Sequence, residues 1–414
     1  MSNGLKLVTQ ESEVDAEPKS SREVIDKALA TVREHFGMEV AYLSEFVGDK
    51  SVFRAVSAPG LEDMAHVGAE LPLETVYCQH IVDGRLPSLM PDTDDEPFAQ
   101  TIPITQQLPV RAHMSLPIRR DDGSVYGMFC CLSRTPNRSL NDRDLSVMEM
   151  FVDLATEEVR STERAETVRR QKSDVIEDLM RKKTFHPVYQ PICDLHTGVV
   201  RGYESLTRFL TEPKRTPDLW FAEAEAVGLG SQLELAAIAE ALQALPEVSE
   251  DKYLSVNVSP ETAMSPELRE IINPKDAPRI LLEITEHSHV ADYDELTKCL
   301  EAMRWAGTRV AVDDAGAGYS SLQHIVKLRP DVIKLDMTLT RGIDTDKVLS
   351  SLASALIRFA GETNAVIVAE GVETASERDE LLKLGIDYGQ GWFLGKPQPA
   401  SEQFQERPQL RAVG

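Results

Sequence analysis

Polar side chains follow a series of short apolar runs in the second half of this 414-residue chain. The runs ILLEIT, RVAVDD and AVIVAEG carry Glu283, the Asp313-Asp314 pair and Glu370 at or near their carboxyl ends. Similar runs end in or carry Glu204, Asn257, Lys334 with Asp336, and Gln390. Buried apolar strands normally exclude charge, so acids at this many strand ends indicate a site where they meet a counter-charge. The alternative is a set of surface strand ends paired with Lys and Arg.

Carboxylate and amide oxygens are the hard ligands that Mg²⁺ and Mn²⁺ prefer. The adjacent Asp313 and Asp314 can bridge two such ions about 4 Å apart, which suits in-line phosphoryl displacement. Lys334 can stabilise charge on the phosphate or position the attacking water, and Glu370 can accept the proton of that water. These residue types therefore favour metal-assisted hydrolysis of a phosphoester.

The elements that must position these residues alternate along the chain. Helical patterns at 219–245, 266–272, 293–306, 346–362 and 375–384 lie among eight β-rich runs: 187–192, 199–207, 253–258, 279–285, 308–313, 331–336, 365–369 and 386–393. Such alternation predicts an α/β (β/α)₈ TIM-like barrel with its chemistry at the carboxyl ends of the strands. Only residues 193–198 join the first two runs, so we expect an antiparallel first strand.

The first half of the chain has a different pattern of predicted helices and strands. An amphipathic helix is predicted at 22–36, and strands at 40–46, 52–57, 114–118 and 125–132. Asp122-Gly123 lies between the last two strands and predicts a hairpin. A second helix opens after Asn141, so we expect an α+β domain.

That second helix is predicted to continue without Pro or Gly to about residue 183. Apolar residues recur along it, at Val168, Val175 and Leu179 in its second half, which is typical of a helix that pairs with another helix. A solvated helix that packs only on its own domain remains an equal alternative. We therefore divide the chain into a disordered leader at 1–20, a sensory domain at 21–159, a helical linker at 160–182, a barrel at 183–400 and a tail at 401–414.

Composition limits the partners. With 44 Lys and Arg against 68 Asp and Glu the formal charge is −24, which argues against nucleic acid polymers and anionic membranes as partners. The five cysteines are scattered and never spaced as C-x-x-C, so reduced thiols are expected. The absence of a long apolar run or a signal-like start predicts a cytoplasmic protein.

The barrel segments YQPICDLHTGVVRGYESLTRF, LSVNVSP, LLEITE, VAVDDAGAGYSSL, DVIKLD, VAEGVET and GQGWFLGKP resemble the EAL-domain cyclic-di-GMP phosphodiesterases. The resemblance implies hydrolysis of cyclic-di-GMP to the linear dinucleotide pGpG with two Mg²⁺ or Mn²⁺ ions. It assigns metal binding to Glu204, Asn257, Glu283, Asp313 and Asp314. It gives catalytic roles to Glu370, Lys334 and Glu204, and substrate-binding or supporting roles to Gln390, Glu373, Arg208 and Glu286.

Two departures from the family pattern keep other functions open. The name-giving motif reads Glu204-Ser205-Leu206, and Ala315 and Ala317 replace the usual Phe and Thr of a loop that couples the metal site to the dimer contact. One alternative is a catalytically weak or inactive receptor that binds cyclic-di-GMP. Another is an enolase-like barrel with Lys334 as the base on a carbon acid.

Segments of the first domain, VYCQHIVDGRLPSLMPDTDDEPFA and LPIRRDDGSVYGMFCCLSR, resemble a GAF sensory domain. This resemblance implies regulation of the barrel by a ligand that the sequence does not identify. A homodimer is the expected assembly.

Overall fold

A computed structural model describes residues 21–285, 290, 292–315 and 319–404. The chain divides into two compact units, Met1–Val168 and Arg169–Gly414. Across the described ranges, every helix falls short of the length or the apolar character that crossing a bilayer requires.

The first unit contains a six-stranded antiparallel sheet in the order β3-β2-β1-β6-β5-β4. Its strands are β1 (Val40–Val47), β2 (Lys50–Ser57), β3 (Glu70–Pro72), β4 (Leu89–Met90), β5 (Ala112–Arg119) and β6 (Val125–Ser133). The helices are α1 (Ser21–His35), α2 (Tyr77–Val82), α3 (Pro103–Gln107) and the long α4 (Asp142–Lys182). The predicted α+β class is confirmed, including the β5–β6 hairpin at Asp122-Gly123.

Each face of this sheet carries its own apolar core, because side chains alternate along a strand. In β6, Phe129 and Cys131 pack with α1 and with Met148 of α4. Met128 and Cys130 face the opposite core, which contains residues of α2 and α3. The short edge strands β3 and β4 and the helices α2 and α3 were not predicted, since each is too short to show a period.

Helix α4 contributes to the core of each unit in turn. Met148 and Val152 are buried in the first unit, whereas Ile176 and Leu179 are buried among residues of the second. Of the apolar positions that predicted a partner helix, Val168 and Val175 are 50% and 44% exposed. Leu179, the third of these positions, is buried by residues of the second unit.

The second unit is a closed barrel of eight strands in the part of the chain that the structure describes, in the order β10-β11-β12-β13-β14-β7-β8-β9. The strands are β7 (Phe185–Asp194), β8 (Val200–Phe209), β9 (Tyr253–Val258), β10 (Ile280–Ile284), β11 (Arg309–Ala315), β12 (Val332–Leu335), β13 (Val366–Ala369) and β14 (Tyr388–Gln390). Strand β7 runs antiparallel to both β8 and β14, and the other pairs are parallel. The predicted barrel and its antiparallel first strand are confirmed.

Helices surround this barrel: α5 (Pro217–Val227), α6 (Gly230–Leu242), α7 (Pro260–Met264), α8 (Pro266–Ile271), α9 (Tyr293–Trp305), α10 (Tyr319–Leu328), α11 (Met337–Thr340), α12 (Lys347–Thr363), α13 (Ala375–Leu384) and α14 (Ala400–Gln403). The single helix predicted at 219–245 is wrong. Gly228 adopts φ +80° and ends α5, and α6 begins two residues later. A left-handed glycine is a common helix terminator, and the apolar pattern on both sides of it hid the break.

Candidate active site

The interior of the barrel is built in layers. Ile192, Leu281, Ala311, Val332 and Val368 form an apolar floor, with Tyr253 and Tyr388 packed against it. Because side chains alternate, the residue two positions further along a parallel strand points to the same interior one layer higher. Those residues are Glu283, Asp313, Lys334, Glu370 and Gln390. Asn257 lies four positions after Tyr253 and therefore on the same face of β9.

Lys334 lies at the centre of this polar layer and is only 1% exposed. Its Nζ is 2.7 Å from Glu370 Oε1, 2.8 Å from Glu283 Oε2, 3.2 Å from Asp313 Oδ1 and 3.3 Å from Glu204 Oε2. A buried ammonium requires charged partners, and here a single one is shared by four carboxylates that would otherwise repel one another.

Glu204 of β8 is held by amides as well as by Lys334. Asn257 Nδ2 donates to Glu204 Oε1 at 3.0 Å, and Gln390 Nε2 donates to Glu204 Oε2 at 2.6 Å. Gln390 Nε2 also donates to Gln190 Oε1 at 3.0 Å. The carboxyl ends of the strands do not reveal Gln190, because β7 runs in the opposite direction and brings a residue two positions before Ile192 to this layer.

Neighbouring residues of a regular strand point to opposite faces, so Asp313 and Asp314 need a distortion to share one site. The β11–β12 register breaks between Val312 and Ala315, and Asp314 adopts φ +54°. This left-handed residue is rare outside glycine and marks a locally strained backbone. With it, acid oxygens of Asp313, Asp314 and Glu370 lie within 4.8 Å of one another.

Burial and Lys334 set the protonation of these acids. Burial raises the pKa of Glu283 to about 8 and raises the pKa of Asp313 and Glu370, in each case against the opposing effect of Lys334. Burial also opposes ionisation of Glu204, but Lys334, Gln390 and Asn257 together hold its pKa below the ordinary value. Burial lowers the pKa of Lys334, yet Asp313 and the three glutamates outweigh it and keep the amine charged.

The donor set fits divalent cations. Among the described residues two acid triads share Asp313: Glu204, Glu283 and Asp313, and then Asp313, Asp314 and Glu370. Glu283 is fully buried, yet its Oε1 has no hydrogen-bond partner among the described residues. A buried carboxylate oxygen normally has a partner, and a hard cation is one that this oxygen is suited to bind.

Glu373 lies apart from the carboxylates that surround Lys334. Its carboxylate pairs with Arg341, and its side chain is 39% exposed. The loop before α13 is instead held by Glu377, which accepts the backbone N–H groups of Gly342, Glu373 and Thr374 at 2.9–3.0 Å. Thr374 and Glu377 form a capping box, and the T-x-x-E spacing was the signal that could have identified Glu377.

The remaining predicted residues have different locations. Arg208, at the end of β8, is half-buried and donates to the Thr207 carbonyl at 3.0 Å. Ala315 is the last residue of β11 and is fully buried. Glu286 and Ala317 lie outside the described residues.

The chain is similar in sequence to known proteins. The EAL domain family model matches residues 173–397, and the GAF domain model matches residues 20–159. Cyclic di-GMP phosphodiesterase PdeF of Escherichia coli is 26% identical over 247 residues, which are 57% of this chain and 33% of PdeF. Bifunctional diguanylate cyclase/cyclic di-GMP phosphodiesterase MucR of Pseudomonas aeruginosa is 30% identical over 230 residues, 52% of this chain and 33% of MucR.

A solved structure of a phosphodiesterase is also similar to this chain. The PaMucR phosphodiesterase in complex with c-di-GMP is 27% identical, with a TM-score of 0.51, over 56% of this chain and 99% of that one. The chain spans about a third of the length of the two curated relatives. The match to more than half of the residues, in the segment that forms the barrel, nevertheless settles the family. The chain belongs to the EAL domain family, and a GAF domain precedes its barrel.

Proposed function

We propose that the protein is a metal-dependent phosphodiesterase that hydrolyses cyclic-di-GMP to linear pGpG. The observation that carries this proposal is the group of four carboxylates around Lys334, to which the distorted end of β11 adds Asp314 beside Asp313. The c-di-GMP phosphodiesterases among its relatives support the choice of substrate.

We assign metal binding to Glu204, Asn257, Glu283, Asp313 and Asp314. Two bound Mg²⁺ or Mn²⁺ ions would activate water and neutralise charge on the phosphodiester. The acids alone would repel a dianionic substrate, so binding depends on cations that reverse the local sign.

We assign the roles of the protein's own side chains from how deeply each is buried. Asp313 and Glu370 are 15% and 18% exposed, whereas Glu204, Glu283 and Lys334 are almost fully buried, so substrate approaches the first pair. Glu370 Oε1 holds the Lys334 ammonium at 2.7 Å. Glu370 accepts the proton of the attacking water, and Lys334 orients that carboxylate and stabilises negative charge on the phosphate. Gln390 and Gln190 fix the orientation of Glu204, and Arg208 and Glu373 support substrate from the rim.

We also infer that the GAF domain regulates the barrel and that the protein acts as a homodimer. Leu154, Val168 and Val175 are exposed on α4 at intervals of fourteen and seven residues, with Ser161 between the first two. Apolar residues in one heptad phase form a seam along which two copies of a helix pack. A second copy of α4 is the partner that this seam fits.

The proposal is tested by incubating the 414-residue protein with cyclic-di-GMP and Mg²⁺ or Mn²⁺ and measuring pGpG by chromatography. We expect hydrolysis that stops with a chelator and that Glu204→Gln lowers at least 100-fold. Glu261→Gln, an exposed acid at the start of α7, is the matched control and should retain full activity.

Two results would favour another function. Saturable binding of cyclic-di-GMP without formation of pGpG at saturating metal would indicate that the protein is a catalytically inactive receptor. Equal rates for Glu204→Gln and the parent protein would show that the barrel layer is not the site of hydrolysis.

A further inference from the structure

The first unit contains a cavity of about 230 Å³ between its sheet and the segments that cover one face. Its walls include Tyr42, Phe53, Leu71, Ile104, Leu108 and Leu132. Met64 and Arg134 also line the cavity and are each about 40% exposed, so the cavity reaches solvent beside them. An apolar cavity of about 150 Å³ can hold benzene, and this one therefore has room for a molecule of one or two rings.

Most polar groups in the wall are already satisfied by the protein. Glu39 and Arg134 pair with each other at 3.0 Å, and the Tyr77 hydroxyl bonds Thr105 Oγ1 at 2.5 Å. The Tyr42 hydroxyl lies 3.8 Å from Cys78 Sγ. Among the described residues that line the cavity, Arg134 is the one cationic side chain and it is paired with Glu39, so these residues offer no unpaired charge to an anionic ligand.

Among the described residues of the wall, His113 of β5 is the buried exception. It lines the cavity and is 1% exposed, and its Nδ1 has no hydrogen-bond partner among the described residues. Burial lowers its pKa to about 3, so the imidazole is neutral near pH 7 and offers one donor and one acceptor. Its ring packs edge-on against Tyr77 at 4.9 Å, which fixes its orientation. An unpaired buried imidazole nitrogen is costly unless a ligand bonds it.

We propose that this cavity binds a small, uncharged, largely apolar molecule with a single hydrogen-bonding group, which pairs with His113. The apolar wall supplies affinity and the imidazole supplies selectivity. A cyclic nucleotide carries a phosphate that the paired Arg134 does not receive, and a tetrapyrrole exceeds the volume. This proposal does not depend on the activity of the barrel.

The test is calorimetric titration of the 414-residue protein with indole, a two-ring molecule that carries one N–H group. We expect saturable one-to-one binding of indole and weaker binding of toluene, which lacks a hydrogen-bonding group. Benzoate and cyclic AMP should give no binding. Saturating indole should also slow amide hydrogen exchange in β5 and β6. Absence of saturable indole binding, or preference for benzoate or cyclic AMP, would overturn the proposal.

Variants separate the two parts of the proposal. His113→Phe should weaken the binding of indole about tenfold, because roughly one hydrogen bond is lost, and should leave the affinity for toluene unchanged. His66→Phe, an exposed histidine outside the lining, is the matched control. In Ala65→Phe the larger side chain fills the cavity from its wall, and this variant should bind neither indole nor toluene. Unchanged binding in Ala65→Phe would locate the ligand elsewhere, and equal loss of indole and toluene in His113→Phe would refute the role of the imidazole.

Discussion

Lys334 shows how a single residue sets the state of the barrel interior. Its ammonium lies within 3.3 Å of four carboxylates, two of which, Glu204 and Glu283, are also almost fully buried. Removing one partner from a buried ionic group leaves uncompensated charge, which costs more than the pair itself contributes. Without bound cations, the folded barrel depends on this amine.

Lys334→Met should lower the free energy of unfolding of the metal-free barrel by about 3–5 kcal/mol, because the acids lose their common counter-charge. Millimolar Mg²⁺ or Mn²⁺ should restore much of this loss. Urea unfolding followed by tryptophan fluorescence measures it, since Trp220, Trp305 and Trp392 all lie in the second unit.

The control is Lys383→Met, which removes a surface pair with Glu380 and should leave stability unchanged. Equal effects of the two substitutions, or no rescue by divalent cations, would contradict this account of the site.

His113 makes the first unit sensitive to acid. Its pKa is about 3 in the folded protein, below the ordinary value of about 6.5 that applies when the chain unfolds. The unfolded chain therefore binds the proton first, so the stability contribution is complete above pH 6.5 and falls as the pH drops from 6.5 toward 3. Tyr77 packs on the ring, and the Glu39–Arg134 pair lines the same cavity.

Between pH 7.5 and 5.0 the parent protein should lose about 2 kcal/mol more than His113→Phe, at roughly 1.4 kcal/mol per pH unit below 6.5. Hydrogen exchange of β5 and β6 peptides, corrected for the intrinsic rate at each pH, measures the difference. His66→Phe should follow the parent, and parallel pH profiles for the parent and His113→Phe would disprove the assignment.

At the scale of elements, short segments at the strand ends control the site. The bulge at the end of β11 turns Asp314 toward the side of Asp313. The segment between β13 and α13 contains Glu370 and Glu373. Glu377 links this segment to Gly342, because its carboxylate accepts hydrogen bonds from the backbone N–H groups of Glu373 and Gly342. These bonds hold the pKa of Glu377 below its ordinary value although burial opposes this. Glu377 is therefore a positioning residue.

Glu377→Ala removes the acceptor of three part-buried backbone N–H groups and should cost about 1–3 kcal/mol of stability. It should lower kcat for cyclic-di-GMP and leave the affinity for divalent cations within about twofold, because Glu377 does not touch the acid triads. Glu380→Ala, on the same helix, is the control. An unchanged kcat in a destabilised Glu377→Ala would show that the segment supports only the fold.

The carboxyl end of α4 is the second element whose packing can be tested. Ile176 and Leu179 are buried with Trp220, Ala224 and Leu233. A fragment of residues 169–414 keeps these contacts, whereas residues 183–414 lose both side chains. At about 1.5–3 kcal/mol for each of the two buried side chains, the shorter fragment should be less stable by about 3–6 kcal/mol. Urea unfolding of both fragments measures this difference, and equal midpoints would contradict it.

At the scale of the whole molecule, regulation requires that the first unit change the activity of the barrel. Helix α4 is continuous through the boundary at Val168–Arg169, so it can carry such an effect. We expect kcat/KM for cyclic-di-GMP to differ at least threefold between residues 1–414 and residues 169–414. Identical values, with and without indole, would show that the two units act independently under these conditions.

The sequence by itself determined the alternation of strands and helices, the antiparallel start of the barrel and the acids at the strand ends. These features are local, since they depend on the period of apolar residues and on the length of connections. The same local information failed at Gly228, where helical patterns on both sides hid a break, and at α2, α3, β3 and β4, which are too short to show a period.

Only the tertiary structure decided which side chains meet. The direction of β7 brings Gln190 to the polar layer, and a break in register brings Asp313 and Asp314 to one side. Glu373 turns to Arg341, while Glu377 holds the loop. The cavity around His113 is assembled from strands and helices distant in sequence. Such contacts depend on closing the barrel and covering the sheet, and no period along the chain encodes them.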